Sequence, residues 1–115
     1  MPTPQELFER YIYAGLTRNA ELQAGLFAVD GVYEAPLTPS RAQGRSAIQA
    51  HLAALHATLT TTPPPTDIRY VPHQTIDPAI FIAETDAMIG DVPMSLVHIV
   101  RTANGEITHL RDYFQ

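Results

Sequence analysis

The chain has 115 residues, of which 45% are hydrophobic, and it contains no cysteine. This length and composition are ordinary for a globular protein, so we expect one domain over residues 1–115. Without cysteine, disulfides and thiolate metal sites are excluded. The net charge is −5 and the seven basic residues, all arginine, are scattered, which disfavours nucleic acid and anionic membranes as partners. No apolar run approaches the ~18 residues of a membrane span and no export signal is evident, so we expect a cytoplasmic protein.

Two helices are predicted before Gly31. Thr3 and Glu6 can form a capping box around Pro4, which suits the first position of a helix. Apolar residues then follow at helical spacing: Leu7, Phe8, Tyr11, Ile12 and Leu16. Asn19 can cap a second, shorter helix that carries Leu22, Leu26 and Phe27 and ends at Asp30-Gly31.

A short strand over residues 32–36 and a loop over residues 36–43 are predicted next. Ser46 and Gln49 form another potential capping box, which opens a third helix. The apolar stripe of this helix consists of Ile48, Leu52, Leu55 and Leu59. Three consecutive prolines at 63–65 end it, since proline cannot continue a helix.

The rest of the chain predicts four long strands, over residues 67–75, 79–89, 92–102 and 106–114. Turn sequences separate them: Asp77-Pro78, Gly90-Asp91 and Asn104-Gly105. Strands joined in this way form an antiparallel meander, and long strands in a small sheet must twist and coil. The predicted fold is therefore an α+β roll of order α-α-β-α-β-β-β-β. Its three helices pack in a curved, mostly antiparallel sheet that encloses an apolar pocket.

Three segments, 33–37, 44–48 and 105–114, resemble the superfamily of nuclear transport factor 2 and ketosteroid isomerase. They read Tyr33-Glu34-Ala35-Pro36-Leu37, Gly44-Arg45-Ser46-Ala47-Ile48 and Gly105-Glu106-Ile107-Thr108-His109-Leu110-Arg111-Asp112-Tyr113-Phe114. The last stretch looks most like the SnoaL-type polyketide cyclases and the limonene-epoxide-hydrolase group. The resemblance implies a cone-like fold over the whole chain. It does not specify the reaction, because this fold hosts isomerases, cyclases, hydrolases and binding modules.

Asp112 is the strongest catalytic candidate. Alternation in the last strand puts Asp112 between Leu110 and Phe114 on an apolar face, where loss of hydration raises the pKa of a carboxyl group. The resemblance also implies an acid–base Asp at this position. The alternative is that Asp112 pairs with an arginine or caps the backbone at the end of the sheet.

Asp86 and Glu84 form a second candidate pair. Related epoxide hydrolases carry an Arg-x-Asp on this strand, whereas here Glu84 replaces the arginine, which argues against simple epoxide opening. Two carboxylates on the pocket face would repel each other, so one would stay protonated. The alternative puts both residues toward solvent, with Phe81, Ala83, Thr85 and Ala87 facing inward.

Tyr11 and His98 are the third candidate pair. The resemblance to ketosteroid isomerases aligns Tyr11 with an oxyanion-holding tyrosine and puts His98 at the position of its acidic partner. A histidine can also donate a hydrogen bond to a developing oxyanion. The general-base aspartate of that family aligns with Ala35, which argues against steroid isomerisation. The alternative is that Tyr11 is a core aromatic residue and His98 a partner of a buried acid.

We expect the candidate pocket to bind a small, mostly apolar molecule without a metal or other cofactor, because no pair of histidines has metal-binding spacing. The expected substrate-binding residues are Phe8, Phe27, Tyr33, Leu52, Leu55, Glu84, Met94, Leu96, Leu110 and Phe114. Two functions remain open: a cofactor-independent acid–base enzyme (isomerisation, cyclisation, or hydration and epoxide opening), or a non-catalytic binding or dimerisation module. The outer sheet face predicts a homodimer through Val92, Val97, Ile99, Ile107 and Tyr113.

Overall fold

The computed structural model describes residues 1–114 and contains three helices and six strands. The helices are α1 (Pro4–Leu16), α2 (Ala20–Gly25) and α3 (Arg45–Thr58). The strands are β1 (Phe27–Ala35), β2 (Ser40–Gln43), β3 (Thr66–Gln74), β4 (Ile80–Ile89), β5 (Val92–Ala103) and β6 (Glu106–Tyr113). None of the described helices is long and apolar enough to cross a membrane.

The strands form one sheet in the order β2-β1-β6-β5-β4-β3. All neighbouring strands are antiparallel except β1 and β6, which run parallel. The predicted meander makes up four of the six strands, β3 to β6, and β1 joins it at the β6 edge. The α+β roll with three helices on a curved, mostly antiparallel sheet is therefore confirmed.

Three local predictions are wrong in the first half of the chain. Phe27 begins β1 and does not belong to α2, which ends at Gly25. The predicted loop contains strand β2, which pairs with the end of β1. The predicted capping box of α3 is absent, because the helix begins at Arg45 with Gly44 as its N-cap. Gly44 has φ +91°, a left-handed conformation that favours glycine.

Arg45 fixes the start of β1 against β6. Its Nε and Nη2 both donate to the Phe27 carbonyl oxygen, at 3.1 and 2.7 Å, and Nη2 lies 3.2 Å from Glu106 Oε2. The Ile107 N–H donates to the Leu26 carbonyl oxygen at 2.9 Å. These bonds hold the strands that carry the candidate site in a fixed register.

An irregularity in the β5–β6 ladder changes which residues of β6 face inward. The register shifts between Arg101 and Thr102, and both Ile107 and Leu110 are fully buried. An extra residue in one strand breaks the simple alternation of faces. The prediction that Ile107 belongs to the outer face is therefore wrong, since this side chain lies in the core.

Candidate active site

A pocket of about 280 Å³ opens beside the end of α1, the proline segment 63–65 and the inner faces of β4 and β5. Its wall is mostly aliphatic and includes Ile12, Leu16, Leu59, Ile68, Ala87, Ile89, Met94 and Leu96. Three buried polar residues also line it: Gln23, Thr85 and His98. An apolar cavity with a few polar groups is the usual form of a small-molecule site.

His98 connects this pocket to a buried polar cluster. It lies on β5 between its register partners Ala83 on β4 and Asp112 on β6, and its side chain is on the inner face. Only 2% of the residue is exposed. The rings of Phe8 and Tyr11 pack on it with centroid distances of 5.4 and 6.2 Å. The strand pairing and the two aromatic rings hold the imidazole at the pocket wall.

Asp112 lies behind His98 and does not belong to the pocket wall. Its Oδ2 accepts a hydrogen bond from the Tyr33 hydroxyl at 3.1 Å, and its Oδ1 is 3.2 Å from His98 Nε2. The latter contact is electrostatic, since its geometry does not make a hydrogen bond, and Oδ1 has no hydrogen-bond partner among the described residues. Tyr33, Asp112 and His98 thus form a continuous polar chain from β1 through β6 to β5.

Burial favours the neutral forms of all the titratable groups in this cluster. Loss of hydration raises the pKa of Asp112, although the nearby His98 and the Tyr33 hydrogen bond oppose this change. Loss of hydration lowers the pKa of His98, and the Asp112 charge opposes it. Burial and the charge of Asp112 raise the pKa of Tyr33, so its hydroxyl remains a donor at neutral pH. Perturbed acids and bases beside a cavity are typical of functional sites.

Unpaired polar atoms concentrate at this end of the molecule. Within residues 1–114, six buried side-chain nitrogen or oxygen atoms have no hydrogen-bond partner. Four of the six belong to the pocket or to the residue behind it: Gln23 Oε1, Thr85 Oγ1, His98 Nδ1 and Asp112 Oδ1. An unpaired buried polar group costs about 1–3 kcal/mol, so this cluster lowers stability unless bound water satisfies it.

The structure separates the expected pocket residues into two groups. Met94, Leu96 and His98 line the pocket. The larger group lies in the buried core beside the pocket and is not part of the pocket wall. Its members are Phe8, Tyr11, Phe27, Tyr33, Leu52 and Leu110. Leu55 and Phe114 are half-buried and also lie outside the wall. The prediction that these eight residues line the pocket is wrong, because the helices pack tightly on the sheet at their positions.

Of the two alternatives for Glu84 and Asp86, the structure agrees with the one that puts both toward solvent, so neither belongs to the candidate site. Both side chains are exposed on the outer face of β4. Glu84 contacts His73 at 2.6 Å, and Asp86 accepts a hydrogen bond from Ser95 at 2.7 Å. The β4–β5 register puts Thr85 on the inner face, so its neighbours in sequence must point outward.

Two buried polar residues of the pocket wall, Gln23 and Thr85, were not predicted as site residues, and Thr85 was expected only to face inward. Gln23 is 4% exposed on α2, and its Nε2 donates to the Tyr11 carbonyl oxygen at 3.2 Å. Thr85 is 5% exposed. A polar residue among inward-facing Phe81, Ala83 and Ala87 was the available signal for Thr85. The sequence held no such signal for Gln23, because its burial depends on how α2 packs.

Metal binding has no support in the described part of the chain. Residues 1–114 contain no group of three or more His, Asp or Glu side chains close enough to hold a metal ion. The histidines are dispersed instead: His98 contacts Asp112, while His73 and His109 contact Glu84 and Glu34 on the outer face.

No protein-family model matches the sequence, and no curated protein matches it. Solved structures do match. An NTF-2 like protein of unknown function from Burkholderia xenovorans LB400 superposes with a TM-score of 0.69 at 19% identity, over 96% of this chain and 81% of that one. A hypothetical protein with a ketosteroid isomerase-like fold from Catenulispora acidiphila, in complex with trimethylamine, gives 0.71 at 20% identity, over 99% and 88%. A candidate polyketide cyclase from Pseudomonas putida KT2440 gives 0.71 at 16% identity, over 100% and 93%.

These similarities establish the fold. The chain has the nuclear transport factor 2-like fold that ketosteroid isomerase-like proteins share, which confirms at the level of the fold the resemblance found in the sequence motifs. At these identities the likeness carries no reaction with it, because one fold supports many chemistries.

Proposed function

We propose that the protein is a cofactor-independent enzyme that moves a proton on a small, largely apolar molecule. The neighbours named as ketosteroid isomerase-like and as a candidate polyketide cyclase support an isomerase or cyclase. One observation carries the proposal: the imidazole of His98 lies at the pocket wall, is 2% exposed, and is backed by the buried carboxyl group of Asp112.

His98 is the proposed general base and acid. Burial lowers the pKa of His98, so the ring is neutral near pH 7, and the residue is part of the pocket wall. A neutral imidazole nitrogen can take a proton from a ligand carbon next to a carbonyl group. Returning a proton to a different carbon completes an isomerisation, and exchange of the imidazole proton with water between the two steps carries solvent deuterium into the product.

Asp112 is the proposed positioning residue for His98. Its carboxylate, 3.2 Å from His98 Nε2, stabilises the imidazolium that forms when the ring takes up a proton. Tyr33 in turn fixes the carboxyl group through its hydroxyl. Tyr11 packs against the His98 ring and limits its rotation. This arrangement revises the expectation that Asp112 itself transfers the proton.

A non-catalytic binding module is the second candidate, and one observation favours it. His98 is the only titratable acid–base side chain among the described residues of the pocket wall other than the permanently charged Arg18. Reactions that need a separate acid and base at the ligand, such as epoxide opening, would lack one of them. Reversible proton transfer by a single base, whose proton exchanges with water before it is returned, does not need a second group.

The test uses enolisable cyclic ketones of about ten carbon atoms in D₂O, with deuterium incorporation measured by mass spectrometry. We expect incorporation with the wild-type protein and a loss of about 10²-fold or more in His98→Gln. The control is His73→Gln, which removes an exposed histidine on the opposite sheet face and should leave the rate unchanged. A ketone that binds, by NMR shift changes, but exchanges no faster than in buffer would refute the enzyme proposal and favour the binding module.

A further inference from the structure

The segment over residues 59–64, which we call the strap, forms one side of the pocket mouth. It follows α3 and leads toward β3. Four of its residues belong to the pocket wall: Leu59, Thr62, Pro63 and Pro64. Three of these four, Leu59, Pro63 and Pro64, are also exposed to solvent. The strap therefore lies between the pocket and the surrounding water.

The strap has few hydrogen bonds of its own. Proline lacks an N–H group, so Pro63 and Pro64 cannot donate a backbone hydrogen bond. The Thr62 N–H donates to the Leu59 carbonyl oxygen at 3.0 Å, which is a bond within the strap. A Cβ atom at Gly90 would lie 3.9 Å from Pro63 Cγ, so the strap also contacts the turn between β4 and β5. A segment with so few bonds belongs to the part of a fold that opens most easily.

Arg18 joins the strap to the end of α1. Its Nη2 donates to the carbonyl oxygens of Leu59 at 2.7 Å and of Thr62 at 3.3 Å. Within residues 1–114, these are the only hydrogen bonds between the strap and an element other than α3. The Leu59 carbonyl follows the last turn of α3, where the helix dipole favours a positive group. Charge-assisted bonds of this kind are among the stronger hydrogen bonds in proteins.

The backbone of Arg18 also indicates a role for its side chain. Arg18 has φ +54°, a left-handed conformation that glycine and asparagine adopt more easily than other residues. It directly follows Thr17, the C-cap of α1, and helices very commonly carry glycine at this position. An arginine is therefore the less favourable residue for the backbone there, and its two bonds to the strap offset the cost.

We propose that Arg18 is a positioning residue of the pocket, whose bonds hold the strap at the mouth and limit the rate at which an apolar molecule enters and leaves. The other sides of the pocket are less free to move, because Ile12 lies in α1, Ala87 in β4 and Leu96 in β5, each with regular backbone hydrogen bonds. The inference rests on the pocket of the proposed function as the ligand site, but it concerns entry and requires no turnover.

The experiment measures how fast 1-decalone, a saturated bicyclic ketone, exchanges between solution and the full chain. Met94 lies in the pocket wall, whereas Met88 does not. An isotope label on the methionine methyl groups therefore gives one NMR signal at the site and an internal reference in the same spectrum. Line-shape analysis at increasing ketone concentration yields the association and dissociation rate constants.

Arg18→Gly and Arg18→Asn remove both bonds to the strap and suit the left-handed backbone, so both variants should fold. A hydrogen bond from a charged donor contributes about tenfold or more to an equilibrium, so we expect both rate constants to rise by about tenfold. Arg18→Lys keeps a positive donor and should give intermediate rate constants. The matched control is Arg10→Gln, which removes an exposed arginine of α1 outside the pocket wall and should change neither rate constant.

The association rate constant separates control of entry from a purely structural contact. If Arg18 only shapes the wall, its loss raises the dissociation rate constant and leaves the association rate constant unchanged. That result, unchanged rate constants in Arg18→Gly and Arg18→Asn, or a wild-type Met94 signal that the ketone does not shift would overturn the inference.

The outcomes also distinguish this inference from the proposed function. Faster entry of the ketone in both variants, with no deuterium incorporation in the wild type, refutes the enzyme and leaves the role of Arg18 standing. Deuterium incorporation that depends on His98, with the same rates of ketone binding in the wild type and the Arg18 variants, supports the enzyme and refutes the role of Arg18.

Discussion

The hydrogen bond from Tyr33 to Asp112 should stabilise the fold because, among residues 1–114, neither side chain has another hydrogen-bond partner. Tyr33→Phe would leave both carboxyl oxygens of a buried aspartate without a hydrogen bond. Asp112→Leu would leave the Tyr33 hydroxyl unpaired in a position where Tyr33 is 1% exposed. The double variant removes both polar groups and leaves neither unpaired.

The magnitude follows from the burial of the pair. Leaving a buried polar group unpaired costs about 1–3 kcal/mol, and hydrogen bonds to charged groups are worth about 1.5–3 kcal/mol. Tyr33→Phe should therefore lower the free energy of unfolding by about 2 kcal/mol. For a chain of this length that is a decrease in melting temperature of roughly 8 °C. The double variant should be less destabilised than the sum of the single variants by about 1.5–3 kcal/mol.

Urea denaturation at pH 7 measures all four proteins of this double-mutant cycle. The reasoning requires that the m-value stays constant, so that changes in midpoint report stability. A coupling below about 0.5 kcal/mol, which is the limit expected for independent sites, would refute it. Such a result would mean that Tyr33 does not hold Asp112 in solution.

Three further predictions concern pH, the outer carboxylates and assembly. Because the pKa of folded His98 is lowered below its unfolded value, the unfolded chain binds more protons below about pH 6.5, and stability falls as the pH falls through that range. Melting curves of His98→Gln should show a smaller loss between pH 6.5 and 5. Glu84→Gln and Asp86→Asn, both on the exposed face, should leave the rate of deuterium exchange on the ketone unchanged and alter the free energy of unfolding by no more than about 0.5 kcal/mol. A tenfold loss of the exchange rate would contradict their placement. We expect a homodimer through the outer sheet face, on which Val97 is only half-buried in the single chain. Sedimentation at micromolar concentration should therefore give the mass of a dimer, and the mass of a monomer would disprove the prediction.

The meander could be predicted from the sequence because its turns carry strong local signals. Asn104-Gly105 and Gly90-Asp91 fix where three strands begin and end, and residues 92–102 and 106–114 agree with β5 and β6 to within one residue. Strand β2 could not be predicted, because its four residues are mostly polar and only Ala42 is buried. Its stability comes from pairing with β1, a contact that no local pattern encodes.

The site was only partly predictable for a related reason. Alternation put Asp112 on the buried face, and the structure places it there at 7% exposure. Alternation could not reveal that His98 stands between Asp112 and the pocket, since this depends on the register of β5 with β6. The bulge that buries Ile107 and the packing of α2 that buries Gln23 are tertiary effects as well.

The NMR titration of the His98 imidazole, in the wild type and in Asp112→Asn, tests the acid–base pair most directly. Burial lowers the pKa of His98 while the Asp112 charge raises it. We therefore expect a wild-type pKa below 6.5 and a still lower value in Asp112→Asn, which removes the charge but keeps the shape. A pKa at or above 6.5 in the wild type, or the same value in both proteins, would contradict a buried His98 whose proton affinity Asp112 controls.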